Sequence, residues 1–258
     1  MAKVYTTEIA SEEIASDNPI HQRLFKAYVV AQNYVQGNLL EVGCGEGRGV
    51  DLMMRKTTGF TAIDKIDEVI EELQKKHPAG KFMRMNIPPF ADLPSNTYDS
   101  VISFQVIEHI KDDLLYLKEI HRVMKPGATA LLTTPNRKMT LSRNPWHERE
   151  YLAEELNALA SKVFNQVEVK GITGNKKVME YYEQNRKSVQ RIMQWDILNL
   201  QYRLPASILR IPYEILNRWN RNKLHTETAN LVSGISHEDY HVTDNVSQAL
   251  DLLLIIKK

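Results

Sequence analysis

Cysteine is almost missing from this chain. Cys44 is the only one in 258 residues, so no intramolecular disulfide can form and a reducing compartment is the expectation. Long apolar runs are missing too: the longest uninterrupted aliphatic run, Leu252 to Ile256, is five residues, against roughly 20 for a helix that crosses a bilayer. Neither sign of charge prevails, since 33 Lys and Arg stand against 32 Asp and Glu for a formal charge of +1. That balance offers no global case for nucleic acid. The first residues, Met1 to Ala15, carry Lys3, Glu8, Glu12 and Glu13 and lack the apolar core of a signal peptide, which makes cytoplasmic the expected localisation. There is no internal repeat and no low-complexity tract. What remains is ordinary globular composition, 43% hydrophobic and 25% charged. The length suits one large α/β domain, with or without an elaboration.

The most informative stretch runs from Leu39 to Gly49. Two apolar residues lead into Glu41, and Gly43, Gly45 and Gly47 then alternate with Cys44 and Glu46 ahead of a helix-compatible run from Val50 to Arg55. A strand that ends in closely spaced glycines and turns into a helix brings backbone N–H groups close to a ligand, because no Cβ intervenes. The pattern differs from the dinucleotide fingerprint G-x-G-x-x-G, because Arg48 stands where the third glycine would fall.

Strands and helices alternate after this point. Phe60 to Ile63 reads as a second strand ending at Asp64, Lys81 to Met85 as a third closed by Asn86, Ile87 and two prolines, and Tyr98 to Phe104 as a buried fourth running into Gln105 and Glu108-His109. Helix 111–124, a strand over Ala128 to Thr134 ending at Asn136, a helix from Arg149 and a strand over Phe164 to Gly171 follow, with a last strand at Ala249 to Lys257. Ahead of the glycines, His21 to Gln36 has the spacing of an amphipathic helix. This rhythm predicts a doubly wound α/β sheet with ligands at the carboxyl ends of its strands.

With Glu41 before it, the glycine stretch resembles the first motif of class I S-adenosylmethionine-dependent methyltransferases, (D/E)-x-G-x-G-x-G, and the likeness covers roughly residues 20–172 and the last strand. It implies a seven-stranded Rossmann-like sheet whose last strand is antiparallel and inserted beside the sixth. It also implies S-adenosylmethionine as cofactor and S-adenosylhomocysteine as product. Glu41, Gly43, Cys44, Gly45 and Gly47 would meet the methionine end. Asp64 would accept the ribose hydroxyls, at the 21-residue spacing from Gly43 that one helix and a return strand require. Lys65 and Ile66 would flank the adenine, Asn86 and Ile87 would meet its amino group, and Gln105 would stand at the fourth strand end. His21, Phe25 or Tyr28 would fold over the cofactor.

For the chemistry, His109 and His147 are the candidate bases for an oxygen acceptor, oriented by Glu108. Glu108-His109 with a later histidine is similar to metal-using small-RNA 2′-O-methyltransferases and ubiquinone-pathway O-methyltransferases. Both carry Glu-x-x-Glu-His, whose first Glu is Gln105 here, so no metal ligand is assigned. The domain plan is a cap helix over 1–36, a cofactor domain over 37–172 plus 247–258, and a helical lid over 173–246. Between Lys176 and Lys223 ten Lys or Arg face four Asp or Glu, and Ile208, Ile211, Ile215 and Trp219 recur at helical spacing. Such a helix suits an anionic membrane surface, a lipid-linked acceptor, its own domain or a second subunit as in a homodimer. The expected activity is methyl transfer to an oxygen of a small-molecule, glycan or lipid-linked acceptor. RNA ribose methylation and a cofactor-binding protein without turnover are the alternatives.

Overall fold

The computed structural model describes residues 14–196 and 199–258. The first thirteen residues of the expected cap, and residues 197–198 of the expected lid, lie outside them. In chain order the regular elements begin with α1 (Asn18–Ala31), β1 (Asn38–Val42), α2 (Val50–Met54), β2 (Gly59–Asp64), α3 (Asp67–Lys76), β3 (Lys81–Arg84), β4 (Tyr98–Phe104), α4 (Asp113–Val123) and β5 (Met124–Pro135). They continue with α5 (Ala153–Ala160), β6 (Gln166–Gly174), α6 (Lys176–Met193), α7 (Leu200–Arg203), α8 (Ala206–Glu227), α9 (Ala229–Ser233), β7 (Tyr240–Thr243) and β8 (Asp251–Lys257).

The strands form one sheet in the order β3-β2-β1-β4-β5-β8-β6-β7. From β3 to β5 every pairing is parallel, and β8 runs antiparallel between β5 and β6. Two apolar layers cover its faces. One holds Tyr28, Leu39, Val50, Ile102, Tyr181 and Leu253, the other Leu40, Val42, Val101, Tyr116, Leu132 and Leu254. Adjacent residues of one strand, such as Leu39 and Leu40 or Leu253 and Leu254, point to opposite layers, as the pleat demands. Strands buried on both faces therefore read as continuous apolar runs.

The sheet has eight strands, one more than expected. β7 is a four-residue edge strand lying antiparallel to the end of β6, with Gly171 opposite Thr243 and Gly174 opposite Tyr240. It occupies part of the stretch read as helical lid. The described residues of the rest of that stretch are mostly helical and are fastened to residues 17–19. Asp17, fully buried, accepts hydrogen bonds from Arg218 and Arg221 of α8 at 2.8 and 3.0 Å. The Asn18 amide donates to the carbonyls of Val232 and Ile235, and the Tyr240 hydroxyl donates to that of Pro19 at 2.7 Å. α1 and the insert thus cover the sheet together, above the carboxyl ends of its parallel strands. The strand order reverses between β1 and β4, and α/β sheets bind ligands in the crevice at that point.

Candidate active site

β1 ends in a turn that glycine alone accommodates. Gly43, Gly45 and Gly47 have φ of 77°, 49° and 78°, a region that costs other residues roughly 1–2 kcal/mol. The three are not equivalent. A Cβ on Gly43 would lie 2.4 Å from Val106 and one on Gly47 2.3 Å from Leu73, so these serve close packing. A Cβ on Gly45 would meet no atom within 4 Å. Gly45 is the member of the turn that faces open space, where a ligand can approach the backbone. Gly49, just past the motif, admits α1: a Cβ there would sit 1.9 Å from the Tyr28 ring.

Asp64 closes the turn from the next strand. Its carboxylate accepts the Gly45 N–H at 2.9 Å through one oxygen and the Ile66 N–H at 3.1 Å through the other. The Gly43 and Cys44 amides donate to the Ile63 carbonyl. A carboxylate oxygen accepts more than one bond, so Asp64 shapes the turn and keeps acceptor capacity for a ligand hydroxyl. Glu41, 1% exposed on β1, accepts the Tyr28 hydroxyl at 2.6 Å through Oε1, while Oε2 is buried with no partner. Burial pushes its carboxyl up to about 7; the Tyr28 hydrogen bond opposes the rise and the Asp64 charge adds to it. A cation at Oε2 would satisfy the oxygen and restore the charge, which suits the amino end of S-adenosylmethionine. These residues fit that cofactor.

The other predicted cofactor residues surround the turn. Cys44 is buried, and burial pushes its thiol up, so it is a packing residue and not a nucleophile. Lys65 is exposed, and Ile66 packs on the first core layer. Asn86 is exposed beyond β3, and Ile87 packs on the second layer. Gln105 has a left-handed backbone, φ 58°, at the end of β4; its amide nitrogen and backbone N–H both bond Thr133. Among the described residues few non-glycines adopt that conformation, and strain of this kind gathers at ligand clamps. Of the three aromatics expected to fold over the cofactor, Tyr28 is committed to Glu41 and to an edge contact with Phe104 at 4.8 Å. Phe25 packs against His21 and His237.

Beyond Gln105 lies a cavity of about 260 Å³, walled by the ends of β4 and β5, by α1 and by the insert. Gln105 is the only predicted cofactor residue that lines it. Glu108, His109 and His147 all do, together with Arg23, Asn144, Glu150, Tyr181, Tyr213 and Arg221. A wider surface groove of about 530 Å³ shares Met139, Thr140, Leu141 and Tyr182 with the cavity and runs out along α6 to Gln190.

The two histidines meet edge to face, with ring centroids 5.0 Å apart. His109 Nδ1 lies 2.9 Å from the Trp146 carbonyl. A carbonyl only accepts, so in the neutral ring Nδ1 carries the proton and Nε2 the basic lone pair. His147 is held at both nitrogens: the Asn144 amide donates to Nε2 at 2.8 Å, and Nδ1 donates to Glu150 at 2.7 Å. The orientation of Asn144 is fixed because its oxygen accepts the Trp146 N–H at 3.0 Å. Glu150 in turn accepts the Thr140 hydroxyl. Glu108 is buried and accepts the Thr134 hydroxyl at 3.0 Å; burial raises its carboxyl to about 7, with His147 opposing the shift. Its backbone carbonyl takes the Glu148 and Arg149 N–H groups, which fixes the histidine loop to the turn that follows β4.

Sequence reasoning passed over Asn144 and Glu150. Their signal was there, since Asn144, His147 and Glu150 are spaced three apart. Arg23, which lies 3.1 Å from buried Asp251 at the start of β8, gave no signal at all. Ligand atoms of Glu108, His109 and His147 fall within 4.8 Å of one another, the spacing of a metal site. Within that cluster both nitrogens of His147 already bond Asn144 and Glu150, and Gln105, which lines the same cavity, is neutral.

Comparison with known proteins bears on family and fold. Over 128 residues the chain is 34% identical to a probable S-adenosylmethionine-dependent methyltransferase of Mycobacterium tuberculosis, covering 47% of this chain and 46% of that protein. Over 116 residues it is 29% identical to the ubiquinone biosynthesis O-methyltransferase of Xanthomonas campestris pv. campestris, covering 43% and 48%. The chain thus spans about half the length of the curated relatives it matches. A Thermotoga maritima S-adenosylmethionine-dependent methyltransferase, described as a possible histamine N-methyltransferase, shares the fold with a TM-score of 0.58 at 15% identity, over 93% of this chain and 91% of that one. Described residues include no helix long and apolar enough to cross a membrane. Residues 14–175, more than half of the sequence, match the methyltransferase domain family, and the chain belongs to it.

Proposed function

We propose that this protein transfers a methyl group to an oxygen of a small-molecule, glycan or lipid-linked acceptor seated in the cavity beside Gln105, with His109 as the general base. When bound, S-adenosylmethionine supplies the electrophilic methyl on its sulfonium. Glu41, Gly45 and Asp64 would hold it at the β1 and β2 ends. In-line transfer then depends on alignment in a site that excludes water, and the insert supplies that enclosure.

An oxygen acceptor must lose a proton as it attacks. The position of His109 carries this reading: it lies in the short helical turn Ile107–His109 that follows β4, the strand beside the glycine-bearing β1, it walls the cavity, and its Nδ1 proton is committed to Trp146. Nε2 is then the atom that takes the acceptor proton. His147, engaged by Asn144 and Glu150, is a positioning residue that packs against the His109 ring. Glu108 shapes the same corner through Thr134 and through its backbone. The partial likeness to a protein named as an O-methyltransferase supports oxygen over other acceptor atoms.

The test is transfer of labelled methyl from S-adenosylmethionine to a panel of phenols, catechols, sugars and prenylated phenols. Turnover of an oxygen acceptor that falls at least about 100-fold in His109→Ala, with unchanged S-adenosylhomocysteine affinity, is expected. An acceptor turned over equally well by the variant would refute the role of His109.

A further inference from the structure

Among the described residues, nine large apolar side chains are exposed, and eight of them fall between Trp195 and Trp219. On α8, Ile208, Ile211, Ile215 and Trp219 follow at intervals of three, four and four, which places them on one face. They are 57%, 69%, 64% and 53% exposed. Trp195, 87% exposed just past α6, and Leu200 and Tyr202 on α7 are further exposed apolar side chains of the same insert. A soluble domain seldom leaves an apolar patch of this kind uncovered.

The charge around the patch selects what covers it. Between residues 191 and 223 stand Arg191, Arg203, Arg210, Arg218, Arg221 and Lys223 against Asp196 and Glu214. Arg218 and Arg221 turn inward to Asp17. Arg191, Arg203 and Arg210 are exposed, and Lys223 lies 5.5 Å over the Trp219 ring. The Asp196 carboxylate accepts the N–H groups of Leu200 and Gln201, so it caps α7. A two-fold interface between copies of this chain would set this cationic rim against itself, which like-charge repulsion opposes. An anionic lipid surface offers the opposite sign together with an apolar layer into which Ile and Trp can sink.

We infer that the α7–α8 face docks on an anionic membrane surface. The placement has a use. The open groove reaches Gln190 on α6, about one and a half helical turns from Trp195. An amphiphilic acceptor lying in the lipid would thus find the mouth of the groove at the docked face. Arg210 stacks on Trp146 at 4.1 Å, and the Trp146 carbonyl orients His109, so the docked helix touches the frame of the cavity.

The test is co-sedimentation of the full chain with phosphatidylcholine vesicles and with vesicles containing about one third phosphatidylglycerol, at low and high salt. Binding to the anionic vesicles alone, weakened by salt and accompanied by a blue shift of tryptophan emission, is expected. The double substitution Ile211→Glu/Ile215→Glu should reduce partitioning about tenfold or more while leaving S-adenosylhomocysteine affinity unchanged, since both side chains point away from the fold. Absence of binding, equal binding to both vesicle types, or full binding by the double variant would overturn the inference. So would a stable dimer in solution that the double variant dissolves, for then a second copy covers the face. Vesicle binding needs neither cofactor nor acceptor, so it fails or succeeds separately from methyl transfer.

Discussion

Replacing Glu41 with glutamine separates two effects of one buried carboxyl. In the folded chain that carboxyl titrates at about 7 because it is out of water, whereas its ordinary value is 4.5. Between those values the folded protein keeps a proton that the unfolded chain has released. The stability tied to this group is therefore full below about pH 4.5 and is lost as pH rises through about 7. A gap of two to three units corresponds to about 3 kcal/mol. Glu41→Gln has nothing to titrate, and its side-chain oxygen can still accept the Tyr28 hydroxyl. The stability of the variant relative to the parent should rise by about 2 to 3 kcal/mol between pH 5 and pH 8, read from urea unfolding at each pH. Glu108 carries a similar shift, but both proteins contain it and it cancels in the difference. The same variant should bind S-adenosylhomocysteine roughly 10- to 100-fold more weakly, because a hydrogen bond to a charged partner contributes about 1.5–3 kcal/mol. Parallel stability curves for the two proteins would refute the raised titration of Glu41, and undiminished affinity at pH 8 would refute the assignment of Oε2 to the cofactor's amino end.

Gly45→Ala and Gly49→Ala should part company. The first places a methyl in open space, lowering cofactor affinity with about 1 kcal/mol of backbone strain, whereas the second collides with Tyr28 and should lower the thermal midpoint while the turn itself is intact. Calorimetric titration and thermal melts distinguish them. Asp17→Asn removes the buried anion that two partly buried arginines share and should destabilise the junction of α1 with α8 by about 3 kcal/mol, seen as faster proteolysis within the insert. Glu150→Gln should leave acceptor KM nearly unchanged while shifting the pH profile of kcat, because His147 loses the carboxylate that fixes its tautomer and with it the packing that steadies His109.

What was legible in the sequence was local. The glycine turn, Asp64 after one helix and one strand, and Glu108-His109 are fixed by spacing along the chain; the first two stand at the carboxyl ends of β1 and β2, and the third in the turn that follows β4. The apolar runs of β1, β4 and β8 announced strands buried on both faces. β7 escaped because four residues of an edge strand, Tyr240 to Thr243, carry too little periodicity to separate from the helices before them. The partners of Asp17 and Arg23 lie more than 200 residues away, and no local pattern can join them. The helical stripe from Ile208 to Trp219 was visible as a period. Only the three-dimensional arrangement shows that it faces outward.

The proposed chemistry requires a sulfonium nucleoside across the ends of β1 and β2, with its amino end at Glu41 and its ribose at Asp64. Isothermal titration of the purified chain with S-adenosylhomocysteine measures this most directly. A single saturable site with S-adenosylhomocysteine, and no heat with NADH or ATP, is the expected result. Heat with NADH or ATP, and none with S-adenosylhomocysteine, would contradict it.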